Sequence, residues 1–272
     1  MLPPVAADNF SLCYLASSWD RSAAATYGNK SANLMRLTSA GFRVPPGVCL
    51  SSASHAITPT VRSRLVQALA RLPAPWAVRS SSLAEDAQHR AFPGIYNTML
   101  GIDTIDGLLD ALHHVSSAPD PDVVRAYSPG TEFHGLIPAL IQTIINPRAG
   151  GVAFTNNPIT TGATILVNAC WGLGHPVVDG TVDPDEFEMD RTGKLISESI
   201  AVKEIAVDWY GMPVAVPAGQ ERQACLSPTD LASLARIAIG VEQLMGAPQD
   251  IEWVQDMNGV FWLVQTRPIT TL

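Results

Sequence analysis

The chain is poor in charge and poor in cysteine. Charged residues make up 15% of the 272 positions and aromatic residues 7%. Basic residues are in deficit, with 17 Lys and Arg against 25 Asp and Glu and a formal net charge of -8. That balance argues against broad binding to nucleic acid or to an anionic membrane, although a few local cations can still set the field of one cleft. The four cysteines, Cys13, Cys49, Cys170 and Cys225, are scattered with no CxxC pair, so neither a zinc site nor a redox dithiol is indicated. No apolar run approaches the roughly 20 residues that cross a bilayer. The first residues, MLPPVAADNF, carry no basic segment followed by an apolar one, so no signal peptide is expected. The expectation is a soluble cytoplasmic protein with reduced thiols. Repeats, low-complexity tracts and the GxxxxGK spacing of a Walker A loop are all missing. Apolar residues make up 47%, enough for one large domain or two lobes with their own cores.

The order of elements reads as mixed α and β. Leu12 to Ala16 suits a short strand. Lys30 to Ala40 has the apolar spacing of a helix that stops at Gly41. After the VPPG turn, Val44 to Gly47, the run Val48 to Leu50 is strand-like. Val61 to Leu72 and Asp103 to Val115 suit amphipathic helices, and Trp76 to Val78 suits a buried strand that delivers Arg79 at its end. Ser116 to Gly135, rich in Pro, Ser, Asp and Gly, is the expected linker, with one lobe over 1–128 and the other over 129–272. Strands are expected at Ala139 to Ile145, Gly151 to Thr155 and Ala163 to Ala169. Ser227-Pro228 caps a long helix to Met245. Ile251 to Gln255 and Val260 to Gln265 form a hairpin around Asn258-Gly259.

Four constellations carry chemistry. Gly28-Asn29-Lys30-Ser31-Ala32-Asn33 stands at a loop-to-helix junction, where free N–H groups and a lysine attract phosphate; the plainer reading is a helix start with a surface lysine. Arg79-Ser80-Ser81-Ser82, then Glu85-Asp86 and Phe92-Pro93-Gly94, suit a lid over polyphosphate with a forked arginine; the alternative is a polar surface loop. Asp250 and Glu252 alternate on one strand face, and Gln265 and Arg267 share a face of the neighbouring strand. They suit a hard-oxygen Mg²⁺ site completed by phosphate, or an ordinary Glu252–Arg267 salt bridge. Trp171-Gly172-Leu173-Gly174-His175 follows a strand, and its glycines imply a sharp turn or a close approach to a ligand. His175 is a base candidate or a solvated loop residue.

Taken together and in order, these stretches resemble the N-terminal ATP-binding domain shared by phosphoenolpyruvate synthase, pyruvate phosphate dikinase and rifampin phosphotransferase. The matching blocks are GNKSANLMRLTSAGFRVPPG, WAVRSSSLAEDAQHRAFPG, GGVAFTNNPITTG, WGLGHPVVDGTVDPDEF and PQDIEWVQDMNGVFWLVQTRPIT, from residue 28 to 271. The resemblance implies an α+β ATP-grasp fold with two lobes clamping ATP, and Mg²⁺ beside it. It implies phosphate contacts from Lys30 and Arg79, with Thr98 nearby. Glu252 and Gln265 match the metal pair with Asp250 beside them, and Arg267 matches the arginine next to the transferred group. Gln142, Thr143, Ile144 and Ile145 fall where the family lines its adenine pocket. Two departures stand out. Asn29 and Ser31 replace glycines, which stiffens the loop, and FPGI stands where FAGQ is usual. The larger relatives continue into a histidine-bearing swivelling domain that this sequence does not show. The expected activity is therefore phosphoryl transfer from Mg·ATP to a small molecule. The alternatives are an ATP-grasp ligase, one subunit of a split system that phosphorylates a separate histidine-carrier protein, and a non-catalytic nucleotide module. Ser51 to His55 only superficially resembles a Ser-His phosphocarrier motif, and a structural role is expected for His55.

Overall fold

In the computed structural model, the described residues are 11–51, 58–81, 98–116, 137–158 and 163–269. Ser82, Glu85, Asp86, Phe92 to Ile95, His55 and nearly all of the expected linker lie outside them. The chain divides into two compact units, one of Met1–Met35 and Pro46–Ile144, the other of Arg36–Pro45 and Ile145–Leu272. The boundary thus falls at Ile144 rather than at residue 128, and the second unit also takes in residues 36–45. The physical reason is register: the strand Ala139–Thr143, which a division at 128 assigns to the second lobe, is bonded on both edges within the first sheet.

The first unit holds a five-stranded antiparallel sheet in the order β1-β2-β5-β3-β4. Its strands are β1 (Leu12–Tyr14), β2 (Gly47–Leu50), β3 (Trp76–Ser80), β4 (Thr98–Ile102) and β5 (Ala139–Thr143). The helices α2 (Pro59–Leu69) and α3 (Ile105–Ser116) cover one face. Leu65, Leu69, Leu108 and Leu112 pack there against Val48, Trp76, Val78 and Ile141. Thr58 caps α2, its hydroxyl accepting from Val61 N at 3.2 Å, and Pro59 supplies a first-turn proline. Alternation then sends Ala77, Arg79, Leu140 and Gln142 to the opposite face.

The second unit is built on a six-stranded antiparallel sheet, β13-β12-β6-β7-β8-β9. These are β6 (Pro147–Phe154), β7 (Ile165–Trp171), β8 (Asp185–Met189), β9 (Leu195–Ser199), β12 (Gln249–Asp256) and β13 (Phe261–Pro268), while β10 (Ile205–Val207) and β11 (Pro213–Ala215) form a separate hairpin. The helix α5 (Pro228–Met245) packs on β12 through a face that includes Leu231, Leu234, Ala238 and Val241. Its start is a full capping box between Ser227 and Asp230. Ile251, Trp253, Val167 and Phe187 are all fully buried on one side of the sheet.

The hairpin forms where the Asn258-Gly259 pair predicts it. Asp256 closes the turn, its carboxylate accepting from Asn258 N and Val260 N, each at 2.9 Å. Strands β8 and β9 escape the sequence reading because β8 buries a carboxylate. Asp185 is fully enclosed and ion-paired to Lys203, so Asp-Glu-Phe-Glu-Met lacks the usual apolar signature.

Candidate functional site

The first unit gathers its candidates around the break in α1 (Ala23–Ser39). Gly28 interrupts that helix with φ 79° and ψ 166°, so residues from Asn29 onward start a fresh turn. A Cβ at position 28 would sit 1.5 Å from the Ser81 carbonyl oxygen, which excludes every residue but glycine. Lys30 is the second residue of the fresh segment. It is buried, at 6% exposure, and its Nζ donates to the Ser80 carbonyl at 3.1 Å. The surface-lysine alternative is thereby excluded. The Ser31 backbone N–H donates to Ser81 Oγ at 3.0 Å, so the Ser81 hydroxyl ties the two loops together.

Arg79 lies within β3 rather than beyond it, directly opposite Thr98 on β4 and Leu140 on β5. Directly paired residues share a face, so Thr98 and Arg79 emerge together on the face opposite α2 and α3, with Gln142 diagonally placed and buried on β5. Thr143 follows the opposite alternation, and its hydroxyl donates to the Pro73 carbonyl at 2.9 Å. Ile144 is buried and donates its N–H to Pro75, while Ile145 is half-buried in the second unit.

In the second unit the antiparallel register sets Glu252 directly opposite Gln265 and Asp250 directly opposite Arg267. A bulge follows: Trp253 faces Leu263, so Val264 is the extra residue. Without it, Gln265 and Leu263 would share a face. With it, Leu263 joins Trp253 in the core and Gln265 joins Glu252 on the other side. Arg267 Nε donates to Asp250 Oδ2 at 2.8 Å, so the direct cross-strand partner of the arginine is Asp250. Asp250 Oδ1 is buried without a hydrogen-bond partner among the described residues. Burial raises the Asp250 carboxyl pKa, Arg267 pulls it down, and the charge of Glu252 raises it further.

Among the described residues no three His, Cys, Asp or Glu side chains converge as a metal site. The donors here are Glu252, the Gln265 amide and the spare Asp250 oxygen, all hard oxygens. That set fits Mg²⁺, which takes one or two carboxylates and completes its shell with phosphate and water.

The Trp171 to His175 turn lies over the same face. Gly150 is paired with Val254 and so shares the face of Glu252. A Cβ on Gly150 would meet Gly174 N at 2.5 Å, and one on Gly174 would meet Gly151 N at 2.3 Å. The glycines thus serve backbone-on-backbone packing. His175, exposed, opens the short helix α4 (His175–Val178), which packs on β6 and β7.

Gly28 and Ser81 gain their importance only from contacts some 50 residues apart in the chain, which spacing alone does not reveal. Asn168 also escapes sequence reading. Its signal is a single amide interrupting the apolar run of β7.

The chain is 34% identical over 210 residues to the rifampicin phosphotransferase of Bacillus subtilis, covering 72% of this chain and 23% of the relative. It is 34% identical over 212 residues to the phosphoenolpyruvate synthase of Pyrococcus furiosus, covering 72% and 26%. It is 30% identical over 282 residues to the prodigiosin synthesizing transferase PigC of Serratia marcescens, covering 90% and 31%. The chain therefore spans about a third or less of these relatives. Residues 54–272 match the model of the pyruvate phosphate dikinase AMP/ATP-binding domain, and the Gly28 to Asn33 segment precedes that match. This protein belongs to the pyruvate phosphate dikinase AMP/ATP-binding domain family.

Proposed function

We propose that the chain binds Mg·ATP and donates its terminal phosphoryl group to a small-molecule acceptor. The ATP-grasp fold comes with the family membership, and nucleotide binding with the family's description. The observation that carries the catalytic reading is the register of the second sheet. It places a carboxylate beside an amide (Glu252, Gln265) and a carboxylate beside an arginine (Asp250, Arg267) as adjacent pairs on one face. A purely structural hairpin has no need of that set, and the bulge at Val264 lets Gln265 join it while Leu263 stays in the core.

In this reading Lys30 and Arg79 neutralise phosphate charge, with Thr98 beside them. Gln142, Thr143, Ile144 and Ile145 line the adenine, Thr143 through its backbone because its hydroxyl is committed to Pro73. Glu252, Gln265 and Asp250 Oδ1 would hold Mg²⁺, which would supply charge neutralisation of the phosphates. Arg267, oriented by Asp250, stabilises the charge spread over the transferred group. His175 takes the proton of an alcohol or amine acceptor. ATP and the acceptor X–OH become ADP, X–OPO₃²⁻ and a proton. A small organic acceptor is supported by the names of two relatives, which act on rifampicin and in prodigiosin synthesis.

Ion-exchange analysis of the nucleotides formed with candidate acceptors tests this. ADP and a phosphorylated acceptor are expected, with Glu252→Ala abolishing Mg²⁺-dependent turnover. AMP as the product points instead to dikinase-type chemistry through a histidine carrier. A need for two co-substrates points to a ligase, and binding without turnover to a nucleotide module.

A further inference from the structure

The cation-binding face of the second sheet extends two strands beyond the hairpin. Gln265 pairs with Glu252, Glu252 with Val152, Val152 with Asn168, and Asn168 with Glu186. Direct pairing keeps a row on one face, so Asn168 rises on the same side as Glu252. The neighbouring row runs Arg267, Asp250, Phe154, Leu166, Glu188.

Asn168 Oδ1 is buried without a hydrogen-bond partner among the described residues, as is Asp250 Oδ1. A native protein rarely leaves a buried acceptor unmet unless a ligand, ion or water completes it. The side chains between these two oxygens, Val152, Phe154 and Leu166, hold no donor, and Glu186, the cross-strand partner of Asn168, and Glu252, two residues from Asp250 on its own strand, are carboxylates. The donors that the described residues bring to these rows, Arg267 toward Asp250 and Asn157 and Thr164 toward Glu188, are engaged elsewhere, so a cation and the polarised water around one would meet the Asn168 oxygen.

We propose that Asn168 is a positioning residue of the divalent-cation site, its carboxamide oxygen accepting a hydrogen bond from a water in the cation's shell. This rests on the Mg·ATP reading above. Direct ligation is disfavoured by reach. Two strand spacings separate Asn168 from Glu252, about 9–10 Å between backbones, whereas inner ligands of Mg²⁺ stand about 2.1 Å from the ion. One water spans the difference. Such outer contacts fix the orientation of the shell and typically alter metal affinity about tenfold or more when removed.

The test is Mn²⁺ binding in the presence of ADP, followed by electron paramagnetic resonance, beside the melting temperature of the ligand-free protein. Asn168→Leu keeps the volume and removes the acceptor. It is expected to weaken Mn²⁺ about tenfold while leaving the ligand-free melting temperature unchanged or raised, because a buried unmet acceptor has been taken away. Asn168→Asp keeps the acceptor and adds charge, and is expected to bind Mn²⁺ at least as tightly as wild type. Wild-type Mn²⁺ affinity in Asn168→Leu overturns the proposal, whether or not its melting temperature falls; with a lowered melting temperature, an ordered water is the partner. Should the leucine variant fail to fold, the aspartate variant decides, and weakened Mn²⁺ binding there overturns the proposal. A wild-type protein that binds no Mn²⁺·ADP overturns the nucleotide reading itself, a result visible before any Asn168 variant is made.

Discussion

Two ion pairs in the second unit differ in how fully the described residues satisfy them, which is the contrast between a structural charge and a proposed functional one. Asp185 and Lys203 are shut away almost completely, with side chains at 0% and 1% exposure. Asp185 also accepts from Ala201 N at 3.0 Å and Cys225 N at 2.9 Å, and Lys203 donates further to the Ala201 carbonyl at 3.0 Å. Asp250 and Arg267 are left incomplete. Arg267 is 38% exposed at the side chain, and one Asp250 oxygen has no hydrogen-bond partner among the described residues. A buried pair tolerates desolvation only when its hydrogen-bonding capacity is met. The first pair meets that condition from the chain itself, while the second leaves one Asp250 oxygen unmet among the described residues.

The contrast breaks most visibly at Lys203. Lys203→Met leaves the Asp185 carboxylate buried and unpaired, which costs about 3–5 kcal/mol. Urea denaturation is expected to show that loss, with nucleotide affinity of the folded fraction unchanged. A loss of affinity without loss of stability would move the Asp185 pair into the functional class.

Arg267→Lys should do the reverse. The charge stays and the fork is lost, so stability changes by less than about 1 kcal/mol. Turnover falls on the order of 10²-fold, the scale for removing a transition-state donor. A stability loss equal to that of Lys203→Met, with turnover intact, would erase the distinction.

The thiols give the smallest and finest probe. Cys170 is pushed up to about 12 by burial first and by the Asp185 charge second, and Cys225 is pushed up by the same causes. Cys13, half-buried in the first unit, is lowered to about 7 by its hydrogen bond with Cys49. Cys13 is Cys49's direct cross-strand partner. Its thiolate population therefore rises through neutral pH. Alkylation with iodoacetamide, located by peptide mass spectrometry, is expected to mark Cys13 with a midpoint near pH 7. Cys170 and Cys225 should stay unmarked until Lys203→Met opens their surroundings.

Much of this was legible in the sequence. The helix before Gly41, the strand holding Arg79, the long helix after Ser227-Pro228 and the Asn258-Gly259 hairpin all rest on local signals, which survive in any environment. The family likewise is written in ordered short blocks. The β8–β9 pair and the lobe boundary were hidden, because a buried Asp185 and the docking of β5 depend on partners far away in the chain.

The amino-acid order alone pointed to the residues proposed for phosphate and metal: Lys30, Arg79, Asp250, Glu252, Gln265 and Arg267. Tertiary structure alone decided how they are placed. It buried Lys30 against Ser80, required glycine at position 28 by bringing up Ser81, and set Arg267 against Asp250. Through one bulge at Val264 it put Gln265 beside Glu252 while keeping Leu263 in the core. The reason is that side-chain periodicity is a property of each strand, whereas register and bulges are properties of a pair of strands, set only when both are packed.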